Sequence, residues 1–288
     1  MKFLEDMDCA FPKNLQEALK LMADEKSRGR PIAGGTDLMV QWSSGVLPMP
    51  ERAIDLSGLP ELKGVSENTD SVVIGAAVTH AEMRRSPIVQ VHLPSLAQAA
   101  ATIGGAQIQA RGTIAGSVAN ASPAGDLGPS LLITNGRVVV ASKAGEREIE
   151  LAKFFLGYRK IDLQPDELIV RFILPKIHAG CRESFRKLGP RAAQAISKVM
   201  GSYRGSAKGK EVKDFAVALG SVAPIPIRLP EFEQWIVGKE IGKKVLDEAE
   251  QRVAAMIKPI DDIRSTAEYR QWVSGRIVRG FLEELVAE

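Results

Sequence analysis

The stretch Arg30–Val40, RPIAGGTDLMV, runs from a short apolar segment into two glycines, a threonine and an aspartate, and then becomes apolar again. The apolar segment predicts a β-strand, and Thr36 or Asp37 could cap a helix that begins at Leu38. Because the residues between them have small side chains, their backbone N–H groups can approach a ligand such as a diphosphate closely. A tight turn before a helix would use the same residues, so this stretch alone leaves both interpretations open.

A second stretch of the same character, from Gly112 to Asp126, lies within the nearly uncharged residues 107–132. Small residues dominate its first part, and Asn120 and Asp126 add side-chain oxygen atoms. Two such segments with hydrogen-bond acceptors suit a ligand that has a diphosphate and several hydroxyl groups, such as a dinucleotide. The sequence contains neither the Rossmann pattern G-x-G-x-x-G nor the P-loop pattern, so we expect the nucleotide to be held in another way.

The rest of the chain predicts a mixture of strands and helices. Asn14 with Glu17 and Thr79 with Glu82 have the spacing of helix caps. We predict strands at 30–33, 52–57, 71–78, 136–142, 147–151 and 166–175, and a hairpin formed by 195–205 and 212–222. We predict further helices at 94–103, stopped by Gly104 and Gly105, and at 230–237, 243–257 and 266–285.

Pro175 and the KIHAG that follows it predict a domain boundary. We therefore expect a first domain over 1–176, with subdomains at about 1–57 and 58–176, and a second domain over 177–288. A chain of 288 residues is long enough for two domains of ordinary size.

Composition indicates a soluble globular protein, with 45% hydrophobic and 25% charged residues. The formal net charge of +3, with acidic and basic residues interspersed, does not favour nucleic-acid binding. No apolar run has the length of a signal peptide or a membrane span, so we expect a cytoplasmic protein with no membrane partner. Cys9 and Cys181 are far apart, and the three histidines have unrelated sequence contexts, so we expect no metal site.

Four motifs occur in order along almost the whole chain: AGGTDL (33–38), GTIAGSVANASPAGD (112–126), FRKLGPRAAQAISKV (185–199) and DDIRSTAEYR (261–270). Together they resemble the FAD-binding medium subunit of molybdenum hydroxylases, the family of xanthine dehydrogenase, carbon monoxide dehydrogenase and aldehyde oxidase. The resemblance implies an α+β fold. Its first part would be a two-part FAD-binding domain of the vanillyl-alcohol-oxidase or PCMH type. A small C-terminal domain of the carbon monoxide dehydrogenase flavoprotein type would follow.

The resemblance also implies site residues. FAD would be bound by Ile32, Ala33, Gly34, Gly35, Thr36, Asp37, Leu38, Ile103, Thr113, Ile114, Ala115, Gly116, Ser117, Asn120, Asp126, Val170 and Lys187. Residues 33–38 and 113–117 would form two diphosphate segments. Asn120 and Asp126 would contact the ribityl and adjoining polar groups, and Val170 would pack against the flavin ring. Lys187, the catalytic candidate, would place a cation beside the pyrimidine end of the ring and stabilise the charge that appears on reduction.

Gly34, Ala115 and Ala195 affect what we expect of FAD binding and of the electron acceptor. A bulky residue at Gly34 should abolish FAD retention, because its side chain would occupy phosphate space. Ala115 stands where many relatives have glycine, so it needs an ordinary negative φ. NAD-reducing relatives often have an acidic residue where this chain has Ala195, before Ile196, so the electron acceptor stays open between NAD and others. The cysteine-rich insertion of relatives that act on aromatic thioesters is missing.

We therefore expect a FAD-dependent oxidoreductase subunit, similar to the medium subunit of xanthine dehydrogenase. It would take electrons from the [2Fe–2S] clusters of a small partner subunit and pass them to NAD or another acceptor, while a large molybdopterin subunit acts on the substrate. One alternative is a self-contained FAD-dependent reductase or oxidase of the same fold superfamily. Another is a nucleotide-binding or scaffolding protein without enzymatic activity.

Overall fold

The computed structural model describes residues 7–24, 29–192 and 194–287. The predicted domain limits at residues 1 and 288 lie outside these ranges, as does residue 193 of the third motif. None of the helices in the described ranges combines the length and the apolar character that a bilayer span requires.

A small parallel sheet forms the N-terminal part, with the strand order β1–β3–β2. Its strands are β1 (Asp8–Ala10), β2 (Arg30–Ile32) and β3 (Arg52–Asp55). Helices α1 (Leu15–Ala23) and α2 (Leu38–Ser43) lie in the connections between them. This arrangement places the glycine pair of the first motif directly between a strand end and a helix start.

The predicted caps have mixed outcomes. The Asn14 side chain accepts a hydrogen bond from the Glu17 N–H at 2.9 Å, and Thr79 and Glu82 form a complete capping box. Helix α2 begins at Leu38 as predicted, but the Asp37 side chain makes no capping bond. The start of α2 is therefore not capped by the Asp37 side chain.

A five-stranded antiparallel sheet follows, with the order β4–β5–β10–β6–β7. Its strands are β4 (Val65–Glu67), β5 (Ser71–Gly75), β6 (Arg137–Ser142), β7 (Gly145–Glu150) and β10 (Leu168–Pro175). A 3₁₀ turn precedes β4, and a short helix and hairpin precede β10; these are Pro60–Leu62, α9 (Leu151–Phe154), β8 (Phe155–Gly157) and β9 (Lys160–Ile161). Valine and isoleucine dominate the central strands, which are buried.

Six helices connect β5 to β6. They are α3 (His80–Arg85), α4 (Pro87–His92), α5 (Pro94–Ala101), α6 (Ala106–Arg111), α7 (Ile114–Asn120) and α8 (Leu127–Leu132). The uncharged residues 107–132 thus form most of three short helices, whereas the sequence analysis assigned them no secondary structure. Each helix is six or seven residues long, too short for its apolar spacing to be recognised in the sequence.

The C-terminal sheet has the order β11–β12–β13–β14, with β12 and β13 forming the predicted hairpin. Its strands are β11 (Arg182–Leu188), β12 (Val199–Lys208), β13 (Glu211–Gly220) and β14 (Ile227–Arg228). The helices that cover one face are α10 (Pro230–Ile236), α11 (Lys243–Met256) and α12 (Ala267–Leu285). Helices and mainly antiparallel sheets in separate stretches agree with the predicted α+β class.

Alternation along β13 shows how the C-terminal sheet joins the two parts of the molecule. Phe215, Val217 and Leu219 pack in the core formed with α10–α12. Ala216 and Ala218 belong instead to the core of the first domain. Successive side chains of a strand point to opposite faces of the sheet, so β13 contributes side chains to both cores. Because its side chains on the first-domain face are alanines, the first domain can approach the sheet closely.

Candidate functional site

The loop between β2 and α2, residues 33–38, keeps its backbone largely open. Among the described residues, the backbone N–H groups of Gly34, Gly35, Thr36 and Asp37 have no hydrogen-bond acceptor. Gly35 has a φ of +71°, in the left-handed region that favours glycine. Four consecutive unpaired N–H groups at the start of a helix can bind an anion, so the loop retains the capacity predicted for it.

The second predicted segment lies directly against this loop. A Cβ added at Gly34 would lie 1.9 Å from the Arg111 carbonyl oxygen and 3.0 Å from the Gly112 Cα. The Gln41 side chain of α2 also donates to the Asn120 Oδ1 of α7 at 3.4 Å. Residues nearly eighty positions apart therefore meet, and the two segments form one surface.

The Gly34 contact corrects one expectation. We expected a side chain at Gly34 to occupy the space of a phosphate. It would instead collide with the Arg111–Gly112 peptide and push the two segments apart. The glycine is required for packing between backbones, and any effect on a ligand would follow from that.

The second segment differs from the first in its hydrogen bonding. The N–H groups of Ile114 and Ala115 donate to the carbonyl oxygens of Val78 and Ala76, at 2.9 and 3.2 Å. Those of Gly116 and Ser117 donate to the Thr113 side chain and carbonyl oxygen, both at 3.0 Å. These four N–H groups are satisfied within the protein, which corrects the expectation that both segments offer free backbone donors.

The substitution of alanine for glycine at position 115 is compatible with this geometry. Ala115 lies in the first turn of α7, and it is not among the described residues with positive φ. Its backbone therefore has the ordinary conformation that the sequence required.

A cavity of about 670 Å³ lies between the first domain and the C-terminal sheet. Gln98 and Thr102 line it from α5 and its end, Phe185 and Lys187 line it from β11, and the loop that begins at Gly189 completes the wall. The volume falls in the range of pockets that hold cofactor-sized ligands. Gln98 and Thr102 were not predicted, because residues of these types have no distinguishing pattern in the sequence. Phe185 begins the third motif but was given no role there.

Lys187 and Asp126, both predicted site residues, form an ion pair. The Lys187 ammonium donates to the Asp126 Oδ2 at 2.5 Å, and the two side chains are 11% and 6% exposed. Burial raises the pKa of the Asp126 carboxyl, and the Lys187 charge opposes this shift. Lys187 lines the cavity wall whereas Asp126 does not, so the carboxylate lies behind the lysine.

A short path joins the cavity to the two segments. A Cβ added at Gly105 would lie 3.1 Å from the Gln194 Nε2, which belongs to the cavity wall. From there α6 leads to Arg111, which contacts Gly34. A helix of six residues is about 9 Å long, so a ligand with a ring system and a diphosphate could extend from the cavity to the loop.

Val170 and Ile103 have less access to this region. Val170 is only 2% exposed within the core of the first domain, and its carbonyl oxygen accepts a hydrogen bond from the Ala76 N–H at 3.0 Å. This corrects the expectation that its side chain is available to pack against a flavin ring. Ile103 is partly buried against the same core, and Ile32 ends β2 beside the loop.

The fourth motif, at residues 261–270, has a structural role away from the cavity. The Asp262 carboxylate accepts hydrogen bonds from the Arg264 and Ser265 N–H groups and from the Arg270 guanidinium. Arg270 also donates to the Ser221 carbonyl oxygen at 2.6 Å. The motif thus fastens the start of α12 to the C-terminal sheet.

Two family models match successive parts of the chain. The family model described as the FAD binding domain in molybdopterin dehydrogenase matches residues 5–177. The chain belongs to this family. A second model, the CO dehydrogenase flavoprotein C-terminal domain, matches residues 184–285. The resemblance stated from the four motifs is therefore confirmed.

Relatives of this FAD-binding family match nearly the full length of the chain. The carbon monoxide dehydrogenase medium chain of Hydrogenophaga pseudoflava is 30% identical over 272 residues, 93% of each chain. The nicotine 6-hydroxylase medium subunit of Paenarthrobacter nicotinovorans is 31% identical over 277 residues, 96% of this chain and 95% of that subunit. The xanthine dehydrogenase FAD-binding subunit of Escherichia coli O157:H7 is 28% identical. These values do not single out xanthine dehydrogenase over the other oxidoreductases.

Solved structures confirm the predicted fold of both parts. Carbon monoxide dehydrogenase from H. pseudoflava, without the Mo-pyranopterin moiety of its cofactor, has a TM-score of 0.90 at 30% identity and covers 95% of each chain. Quinoline 2-oxidoreductase from Pseudomonas putida 86 has a TM-score of 0.91 at 24% identity over the full length of both chains, which shows a shared fold.

The residues fit the FAD of this family. The Ala33–Leu38 loop has free N–H donors for a diphosphate, and the cavity offers Phe185 as an apolar surface and Lys187 as a cation. Loop and cavity are connected through α6. The individual contacts of the predicted site residues with FAD remain a proposal.

His80 lies against Gly112 at the start of the second segment. Its burial predicts that the free energy of unfolding depends on pH. The residue is 3% exposed, its Nδ1 has no partner among the described residues, and a Cβ at Gly112 would lie 3.1 Å from its Nε2. Burial lowers the pKa of His80 to about 4, against about 6.5 in an unfolded chain. The unfolded state therefore binds more protons between these values, and stability falls as pH falls through this window.

We expect this histidine to account for about 2 kcal/mol of lost unfolding free energy between pH 7 and pH 5. The measurement is urea unfolding at both pH values, comparing wild type with His80→Leu, which should lose that part of the dependence. His178→Leu, at an exposed histidine, is the control and should keep it. Equal pH dependence in wild type and His80→Leu would contradict the assignment.

Proposed function

We propose that this chain holds FAD with its diphosphate on the Ala33–Leu38 loop and its flavin ring in the cavity beside Lys187. As the medium subunit of a molybdenum hydroxylase, it would accept electrons from the [2Fe–2S] clusters of a small subunit. It would pass them to NAD or another acceptor, while a large molybdopterin subunit acts on the substrate. The observation that carries this proposal is the Lys187 ammonium in the wall of a 670 Å³ cavity. Helix α6 leads from this cavity to the contact between Arg111 and Gly34.

The need for partners is supported by the cysteine content and by the relatives. The sequence has two cysteines, whereas a [2Fe–2S] cluster requires about four ligands. In the described ranges no three His, Cys, Asp or Glu side chains are grouped so that they could hold a metal ion. Two relatives that match over more than nine-tenths of the chain are called a medium chain and a medium subunit.

The protein groups have distinct roles in this proposal. Bound FAD supplies the ability to accept and release electrons. The loop N–H groups would hold the negative diphosphate, and apolar Phe185 would exclude water from one side of the cavity. Lys187 would favour the reduced state, because a fixed cation stabilises negative charge where it develops.

Lys187→Met is expected to lower the reduction potential of the bound flavin, with a modest loss of FAD affinity. The reason is that the cation beside the ring is removed while the apolar part of the side chain is kept. The measurement is a spectroelectrochemical titration of the FAD-loaded protein. Lys213→Met is a matched control, because Lys213 belongs to the same sheet and pairs with Glu211, but both are 45% exposed. An unchanged potential in Lys187→Met would show that the lysine is structural.

A tagged full-length chain, expressed with its genomic neighbours, tests the proposed assembly. We expect a yellow protein that retains a small iron–sulfur subunit and a large molybdenum subunit, and whose flavin is reduced when the complex receives substrate. Mixing the reduced complex with NAD or with oxygen would identify the acceptor. A yellow chain without partners that reduces or oxidises a substrate alone would support the self-contained enzyme, and a colourless chain would support a non-enzymatic protein.

A further inference from the structure

Thr102, which the sequence analysis did not identify, contacts both members of the Lys187–Asp126 pair. It follows the last residue of α5 and lines the cavity. Its hydroxyl lies 3.0 Å from the Asp126 Oδ2 and 2.8 Å from the Ala99 carbonyl oxygen. Its own carbonyl oxygen accepts a hydrogen bond from the Lys187 ammonium at 3.3 Å. One residue therefore contacts the carboxylate through its side chain and the ammonium through its backbone.

The three residues lie at different depths from the cavity. Thr102 and Lys187 face the cavity, and Asp126 lies behind them with 6% exposure. A single carboxylate oxygen, Oδ2, receives both the lysine and the threonine. The buried Asp126 carboxylate thus contacts the Lys187 ammonium from the side away from the cavity. Because its charge has the opposite sign, it partly cancels the electric field of the ammonium in the cavity.

We propose that Thr102 and Asp126 are positioning residues that act through Lys187. They fix the ammonium at the cavity wall, compensate part of its charge, and so set the reduction potential of the flavin held there. This inference rests on the proposed function. It gives Asp126 a role different from the expected contact with the ribityl group, because its Oδ2 accepts from Lys187 and Thr102 and its side chain does not line the cavity.

The first test is Asp126→Asn in the FAD-loaded full-length chain. Removing the compensating charge should raise the flavin potential, opposite to the shift expected for Lys187→Met. In a Lys187→Met background the same substitution should have no effect, because a buried Asp126 without its cation takes up a proton and is already neutral. A general loss of packing would not produce shifts of opposite sign that vanish in the double variant.

The second test keeps the carboxylate and removes only the hydroxyl. Thr102→Val is nearly equal in shape, and loss of a donor disfavours the ionised form of Asp126. The potential should move in the same direction as in Asp126→Asn, by a smaller amount. Thr102→Ser restores the hydroxyl and should return the potential to the wild-type value.

Several results would overturn the inference. One is an unchanged potential in both Asp126→Asn and Thr102→Val. Another is an Asp126→Asn shift that persists in the Lys187→Met background, since Asp126 would then act on the flavin directly. Loss of FAD from a normally folded Asp126→Asn protein would likewise indicate direct contact. A wild-type protein that binds no FAD would instead refute the proposed function itself.

Discussion

Gly34→Ala should release FAD even though it adds only one methyl group. The new Cβ would lie 1.9 Å from the Arg111 carbonyl oxygen, which is a backbone atom and cannot rotate away as a side chain would. The Ala33–Leu38 loop and the second segment would have to separate. Forced overpacking of this kind costs about 1–3 kcal/mol, and we expect FAD affinity to fall at least about tenfold, which corresponds to 1.4 kcal/mol.

The measurement is flavin content after purification, with urea unfolding to follow stability. Gly58→Ala is the matched control, because a Cβ there meets no atom within 4 Å and its φ is not in the left-handed region. That variant should retain FAD fully. If Gly34→Ala also bound FAD with wild-type affinity and stability, the two segments would not be in the contact described.

Arg204→Met is expected to be the most destabilising charge substitution at the domain interface. Arg204 on β12 pairs with Glu183 on β11, and the two side chains are 8% and 0% exposed. The Glu183 Oε2 also accepts from the Ser95 hydroxyl of α5 at 2.9 Å, and the Arg204 guanidinium donates to the Pro175 carbonyl oxygen. Removing one partner leaves a buried carboxylate uncompensated, which typically costs about 3–5 kcal/mol.

Urea unfolding followed by circular dichroism provides the comparison. Glu148→Gln, in the exposed pair with Arg137 on neighbouring strands, should change stability by no more than about 1 kcal/mol. Replacing Glu183 and Arg204 together by Leu and Met should recover much of the loss, because neither charge is then left unpaired. A cost for Arg204→Met as small as that for Glu148→Gln would mean that the interface pair is not shielded from water.

Much of the local structure was predictable because its causes lie within a few residues. The Asn14 and Thr79 caps depend on a partner three positions away, and both were confirmed. The β12–β13 hairpin depends on two apolar strands around a polar turn. The three short helices in residues 107–132 were missed, since six or seven residues do not establish a period.

The candidate site was predictable to the level of which segments take part. The four motifs identified the family correctly, and Lys187 of the third motif lines the cavity. The joint role of the Ala33–Leu38 loop and Lys187 in binding FAD stays a proposal. They did not reveal that residues 114–117 use their own N–H groups internally, or that Val170 is buried. Whether a backbone donor is free depends on what lies opposite it, and here the acceptors Ala76 and Val78 come from a distant part of the chain.

By itself the sequence determined the membership of the FAD-binding family, the main secondary-structure elements, and the need for small residues at Gly34 and Gly35, since these follow from local chemistry and motif order. Only the tertiary structure decided what those features face. It placed Gly34 against Arg111, put Asp126 behind Lys187, and brought Thr102 to both. The physical reason is that these contacts join residues 24 to 85 positions apart, and their geometry depends on how whole sheets and helices pack.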